Sequence, residues 1–287
     1  MFTAKVRNDA GEEITLTGRE TEYQIIRIEG LNPPPAQVNL VPLVAMDGAR
    51  YNSARLETRE IVLTIRINGA VETNRLRLYN YFRTKREITF FYKNGTLDVS
   101  IDGYVQTVET DLFSKGETVQ VTILCPFPYF AALDAVIADS ARSLAEFEFP
   151  FSINADSPVI ISSLDAGGGA ILLTNGTDTE CGFVLDVILR GGCSEIVVKN
   201  LTSGETFTLR GTFLAGDDVR VCTVRGQKSI EIIRGGEIVN GFSALADGSS
   251  FWQILPGENV VEYMIDGTAT SPAAELTFTY KVLYRGV

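Results

Sequence analysis

Apolar and polar residues alternate with a period of two wherever this chain is not punctuated by Gly, Asn, Asp or Pro. That pattern admits little besides antiparallel strands with one buried face. In "REIVLTIRING", Ile61, Leu63, Ile65 and Ile67 share one face while Thr64 and Arg66 point the other way. In "FFYKNGTLDVSIDGYV", Asn94-Gly95 predicts a two-residue type I′ hairpin turn, with Leu97, Val99 and Ile101 following on one face. Val119, Val121 and Ile123 supply a third strand and complete a meander. Between the first strand and the hairpin, "VETNRLRLYNYFRTKRE" changes period. Leu78 and Phe82, four residues apart with Tyr79 alongside, predict a helix whose last turn carries Lys and Arg.

The alternation stops again from Tyr129 to Asn154, a stretch that ends in a Phe-rich segment around Pro150. A chain of 287 residues with 45% hydrophobic content has room for two ordinary cores. The boundary is therefore expected in this stretch, giving domains 1–140 and 141–287. The second carries "SEIVVKNL", "ETFTLRG", "DDVRVCTV", "SIEIIRGG" and "AELTFTYKVLY", with Leu276, Phe278, Tyr280 and Val282 on one face of the last. Short strands divided by turn residues predict a sandwich. The fold class is thus mainly β: a sandwich-like N-terminal domain with one helix, then a C-terminal β-sandwich.

Composition closes many chemical routes. The chain has no histidine, which removes Ser-His-Asp and Cys-His catalysis, His-ligated zinc and the usual general base. Cys125, Cys181, Cys193 and Cys222 form no C-x-x-C pair and are too sparse for a disulfide scaffold, so they are expected to be buried small hydrophobes. Gly167-Gly168-Gly169 matches neither a P-loop nor a Rossmann fingerprint and predicts a turn. Asp217-Asp218 and Asp98 with Asp102 are carboxylate pairs of the kind a glycosidase uses, but their place beside hairpin turns favours solvent-facing side chains. No catalytic residue, cofactor or metal is expected. The three Asn-x-Thr sequons, at Asn94, Asn175 and Asn200, carry no message without a secretion signal. The N-terminus shows no leader pattern and no stretch has the length of an apolar span, so the chain is expected to be made in a cytosol without membrane insertion.

A net charge of −11 argues against general nucleic-acid binding by phosphate neutralisation. Against that acidic background, Arg50 to Arg86 holds nine basic residues (Arg50, Arg55, Arg59, Arg66, Arg75, Arg77, Arg83, Lys85 and Arg86) and three acidic ones. Of these, Arg75, Arg77, Arg83, Lys85 and Arg86 form a candidate subunit interface, a basic strip that would meet an acidic face and set orientation, the alternative being a solvated helix face. A second candidate is "CPFPYF". Pro126 and Pro128 end the strand after Cys125, since neither donates to a ladder and each biases its predecessor to extended geometry. Tyr129 and Phe130 then either seal the first core or fix how the second domain leaves it. The one tryptophan, Trp252, would be the stacking residue if the second sandwich bound sugar. Phe251, Ile254 and Leu255 crowd it, which favours a core position.

These pieces come in an order that resembles the distal tail proteins of tailed bacteriophages. "RLETREIVLTIRING", "RLRLYNYF", "FFYKNGTLDVSIDGYV" and "CPFPYF" lie in the first domain. "TNGTDTECGFVLDVIL", "VVKNLTSGETFTL", "GDDVRV" and "FWQILPGENVVEY" follow in the second. The family's motif usually places an acidic residue between the two prolines, where this chain has Phe127. The resemblance implies a non-enzymatic virion protein of the tail tip or baseplate, assembled in the host cytoplasm. It implies a homohexameric ring with a lumen for DNA, C-terminal domains of galectin-like or jelly-roll fold, and partners in the tail tube protein, the tip hub protein and peripheral receptor-binding components. Two other classes stay open beside it: a module that binds cell-wall carbohydrate through the second sandwich, and a tail-associated glycosidase or peptidase.

Overall fold

In the first of two units, residues Met1–Asp134 with Leu283–Val287, the alternation read from the sequence becomes one large antiparallel sheet, with a separate two-stranded ribbon in addition. The computed structural model describes residues 2–18, 21–43, 47–112, 117–140, 142–145, 162–165, 171–266 and 274–287. Gly167–Gly169 and the Phe-rich segment around Pro150 lie outside the described residues. The strands of unit 1 are β1 (Thr3–Asn8), β2 (Glu13–Thr15), β3 (Tyr23–Glu29), β4 (Ala36–Pro42), β5 (Ala49–Leu56) and β6 (Arg59–Ile67). After helix α1 (Val71–Tyr81) come β7 (Glu87–Lys93), β8 (Asp98–Thr110), β9 (Thr118–Cys125) and β10 (Phe130–Ala132). The sheet order is β2-β1-β7-β8-β9-β6-β3, with β10 added along β8. The predicted meander is β7-β8-β9, and β6 closes against β9.

Ile61, Leu63, Ile65 and Ile67 of β6 bury against Val119, Val121 and Ile123 of β9 and against Leu78 and Phe82 at the end of α1. Burial of such side chains is worth about 1.5–3 kcal/mol each and drives the sheet and helix together. Two local expectations are corrected. The Asn94 turn has four residues, not two: Asn94 N–H donates to the Leu97 carbonyl, and Asn94 Oδ1 accepts from the N–H groups of Thr96 and Leu97 at 2.8 Å. Neither Asn94 nor Gly95 has the positive φ that a type I′ turn needs. Helix α1 ends at Tyr81 with Phe82 as its cap, so its last turn has no basic residue. Arg83, Lys85 and Arg86 follow it, and Lys85 is itself left-handed at φ 67°.

Unit 2, Ala135–Val282, is a two-sheet sandwich. Its strands are β11 (Val136–Asp139), β12 (Arg142–Ala145), β13 (Ser162–Asp165), β14 (Ile171–Asn175), β15 (Phe183–Leu189) and β16 (Cys193–Asn200). There follow β17 (Thr206–Phe213), β18 (Asp218–Cys222), β19 (Ser229–Arg234), β20 (Glu237–Asn240), β21 (Gly257–Ile265) and β22 (Ala274–Tyr280). One sheet runs β11-β22-β15-β18-β19-β20 and the other β14-β21-β16-β17. Alternate residues of both are buried, among them Leu185, Val219, Val221 and Phe278 from the first and Leu173, Val198, Leu209 and Tyr263 from the second. Period-2 patterning with one buried face per strand is the sandwich signature read from the sequence.

The run "AELTFTYKVLY" is not one strand. It stops at Tyr280, and the chain resumes as β23 (Leu283–Tyr284) paired with β10, Phe130 against Tyr284 and Ala131 against Leu283. The last five residues therefore belong with unit 1, whereas the sequence assigns all of 141–287 to the second domain.

Candidate assembly site

Arg59 begins β6 in phase with Ile61, Leu63, Ile65 and Ile67, so the pleat turns its side chain inward, and it is only 2% exposed. Its guanidinium has carbonyls for partners. Nε donates to the Pro128 carbonyl at 2.8 Å, Nη1 to Asn32 at 2.7 Å and also to Gly30, and Nη2 donates to Arg285. The plane lies 4.6 Å from the centre of the Phe130 ring. Burial lowers the pKa of Arg59 from its ordinary value, and neighbouring Cys125 opposes that. A buried cation is costly unless its donors are met, and the planar fork meets several backbone acceptors at once.

The clamp holds the "CPFPYF" motif. Cys125 pairs with Arg59 across β9 and β6 and is fully buried, and its thiol is pushed up to about 12 by burial. It packs as a small hydrophobe, as expected. Strand β9 ends at Cys125, where Pro126 begins the exit. Pro128 supplies the carbonyl, half-buried Tyr129 packs on exposed Phe127 with ring centres 5.1 Å apart, and Phe130 is buried in the core as β10 starts. Opposite, Val287 N–H donates to the Leu31 carbonyl at 3.1 Å. Glycine is required at two points. Gly30 has φ +86°, and a Cβ there would fall 1.9 Å from the Glu60 carbonyl oxygen; at Gly286 it would fall 2.9 Å from Pro33 Cδ.

The proposed basic strip is not one feature. Arg75 and Arg77 lie on α1, while Arg83, Lys85 and Arg86 lie beyond it. Arg75 pairs with Glu117 at 2.9 Å, Arg77 with Glu22 at 3.1 Å and Arg86 with Asp9 at 3.7 Å, all within unit 1. Arg83 Nε donates to the Asn80 carbonyl at 2.9 Å. Arg59, counted with the strip by sequence, is the buried member.

The surface that stands out instead is the β4–β5 hairpin. It forms a separate two-stranded sheet in which every residue from Ala36 to Pro42 and from Ala49 to Arg55 is exposed. Val38, Val41 and Leu43 are exposed, Leu40 is 56% exposed and Tyr51 62%. Its side-chain bonds are internal: Asn39 to Ser53 at 3.0 Å, and Arg55 to Gln37 at 3.0 and 2.8 Å. A two-stranded ribbon is marginal in water on its own, and an exposed apolar surface of this kind marks an interaction site. This hairpin is not among the candidates read from the sequence, where its signal is "AQVNLVPLV", an apolar run with no strict alternation.

In unit 2, Trp252 is 2% exposed, with its ring 4.4 Å from Phe183, and has no face to offer a sugar. Asp217, expected in solvent, is 1% exposed. It accepts from Arg234 through both oxygens, at 2.8 and 2.6 Å, and from Leu214 N–H at 2.8 Å, and the Arg234 hydrogen bonds hold its carboxyl below the usual range. Asp98 binds Lys93 at 2.6 Å and Asp102 accepts from Thr89 at 2.7 Å. Cys181 and Cys193 are buried, with thiols pushed up to about 12 and about 11, while Cys222 is half-buried against expectation. Among the described residues no group of His, Cys, Asp and Glu has the arrangement of a metal site, and no helix is long and apolar enough to cross a membrane.

Residues 176–284 match the family model described as siphovirus-type tail component, C-terminal domain. No curated protein sequence matches the chain. Among solved structures, the Dit protein of phage SPP1, described as a paradigm of the hub adsorption apparatus in phages infecting Gram-positive hosts, superposes with a TM-score of 0.70 over 99% of each chain at 11% identity. A chain of the phage P2 baseplate in its activated conformation with Ca superposes at 0.54 over 100% of each chain, also at 11% identity. Residues 176–284 of this protein therefore resemble the siphovirus-type tail component family, and the chain as a whole carries the fold seen in the SPP1 Dit protein.

Proposed function

We propose that this protein is a structural component of a bacteriophage tail tip: a hexameric hub adaptor that joins the tail tube to the tip hub and leaves a lumen for DNA. The observation that carries the reading is the likeness to the SPP1 Dit fold over 99% of both chains, together with the family match in unit 2. The exposed apolar hairpin supports self-assembly, because a closed ring needs a heterologous contact in which a projecting element of one subunit meets a different surface of the next. The exposed basic residues Arg77, Lys85 and Arg86 lie outside that hairpin and add orientation at the rim of the contact.

On this reading the protein acts by assembly, without chemistry of its own, within the virion tail, and its further partners are the tube, hub and peripheral baseplate proteins. Carbohydrate binding through Trp252 loses its support, since the indole is buried. Negative-stain electron microscopy of the purified protein, alone and mixed with tube and hub subunits, tests the proposal. Sixfold rings with a central hole are expected. Single particles of one subunit in every mixture would overturn it.

A further inference from the structure

Arg59 stands where three parts of unit 1 meet. Gly30 and Asn32 lie in the segment that leads into the exposed hairpin, and Arg59 itself is the first residue of the strand that follows it. Pro128 precedes β10, the last strand before the chain leaves for unit 2, and Arg285 follows β23, the first strand on its return. The hairpin base is closed just above by Glu57 N–H donating to the Pro35 carbonyl at 3.0 Å.

We propose that Arg59 is a coupling joint, which ties the base of the hairpin to both strands through which the chain enters and leaves unit 2, so that loosening one loosens the others. A single rigid fork is shared by carbonyls from the Gly30–Asn32 segment, the Pro128 exit and the C-terminal strand. None of these acceptors has the charge to hold the guanidinium in place of the rest. Lifting the C-terminal strand removes the Arg285 acceptor and the Val287–Leu31 bond together, which frees the segment entering the hairpin. Coupling of this kind needs a contiguous physical network with a shared element, and Arg59 is that element. The joint's use in assembly rests on the hairpin being the contact between subunits, but the joint itself is a property of the single chain.

Hydrogen exchange of the full-length protein, read by mass spectrometry, tests it with two substitutions far apart in sequence. Arg59→Met keeps an unbranched apolar stem in place of the side chain and removes every donor. Gly286→Val acts from the other end, since even a Cβ there would lie 2.9 Å from Pro33 Cδ and 3.1 Å from the Leu31 carbonyl oxygen. In both variants the hairpin base around Glu57 and the exit strand Phe130–Ala132 should exchange at least about tenfold faster together, while Val119–Ile123 in the sheet centre stays protected. The joint is overturned if the effect of Gly286→Val stops at Leu31–Pro33 and the C-terminal strand, or if exchange rises uniformly through unit 1. Should Arg59→Met not fold, Gly286→Val decides alone. Imaging of the same samples reads the ring separately: coupled exchange without rings supports the joint and removes its use in a ring, whereas uncoupled exchange in a ring-forming protein overturns the joint.

Discussion

Strand β6 and the β4–β5 hairpin are neighbours in the chain and opposites in environment. Every second side chain of β6 is buried, down to an arginine whose donors are met by backbone carbonyls. The hairpin just before it carries Val38, Leu40, Val41, Leu43 and Tyr51 with no face that buries them. The contrast separates two kinds of residue. Those of β6 are satisfied by folding of the single chain, whereas those of the hairpin stay exposed on it and, in the proposed ring, are covered by a second subunit. An inventory of sequence hydrophobicity treats both alike, and only the sheet register tells them apart.

The sharpest way to break this contrast is at Arg59. Arg59→Ala removes a buried side chain and the donor shared by the carbonyls of Gly30, Asn32, Pro128 and Arg285, and is expected to cost unit 1 about 3–5 kcal/mol. Because the chain's one tryptophan, Trp252, lies in unit 2, denaturation followed by indole fluorescence should stay in place while the part of the far-ultraviolet circular dichroism due to unit 1 moves to lower denaturant. A common shift of both signals would contradict the assignment. Next in size is Asp217→Asn, which weakens the bidentate contact to Arg234 and should move the Trp252 transition by about 1–3 kcal/mol. The Asp217 carboxyl titrates below its ordinary value, so its contribution is present above the unfolded pKa and is lost as pH falls through the folded one. Acid titration of the wild type and the variant should therefore converge at low pH, and a gap that persists there would exclude the ionised pair as its source.

Smaller effects on the single chain are expected at the surface. The double substitution Leu40→Asp with Tyr51→Asp should change unfolding by about 1 kcal/mol or less in the monomer: both side chains already face water, and the cost is the lost cross-strand pair and the repulsion of two carboxylates facing each other across β4 and β5. Its effect falls on self-association. Smallest is Arg77→Ala, whose exposed pair with Glu22 is worth under about 0.5 kcal/mol and less in salt. A larger loss on thermal unfolding would show that the basic residues beyond β6 belong to the core after all.

Much of the strand inventory was legible because burial on one face of a strand imposes period 2 directly on the sequence. The inner rows of β6 and β9 follow from it, while the stop before Pro126 follows from proline's missing donor and the burial of Trp252 from its apolar neighbours. The phase of β6 also marked Arg59 as inward. Counting it by charge with Arg75 and Arg77 hid that, since residue type outweighed register. Three features depend on long-range contacts that local patterns do not carry. The return of Leu283–Tyr284 to β10 pairs residues far apart in sequence. The turn at Asn94 is set by its side chain capping Thr96 and Leu97 rather than by the Asn-Gly pair. Asp217 is buried because Arg234, on another strand, meets both its oxygens.

The most direct test of the contrast is the mass in solution of the wild type and of the Leu40→Asp, Tyr51→Asp variant, measured by light scattering on a sizing column. A wild-type particle of about six times 31.3 kDa and a folded variant at one times that mass are the expected pair. A wild type that runs as a monomer, or a variant that assembles as well as the wild type, would contradict the assignment of the hairpin to assembly.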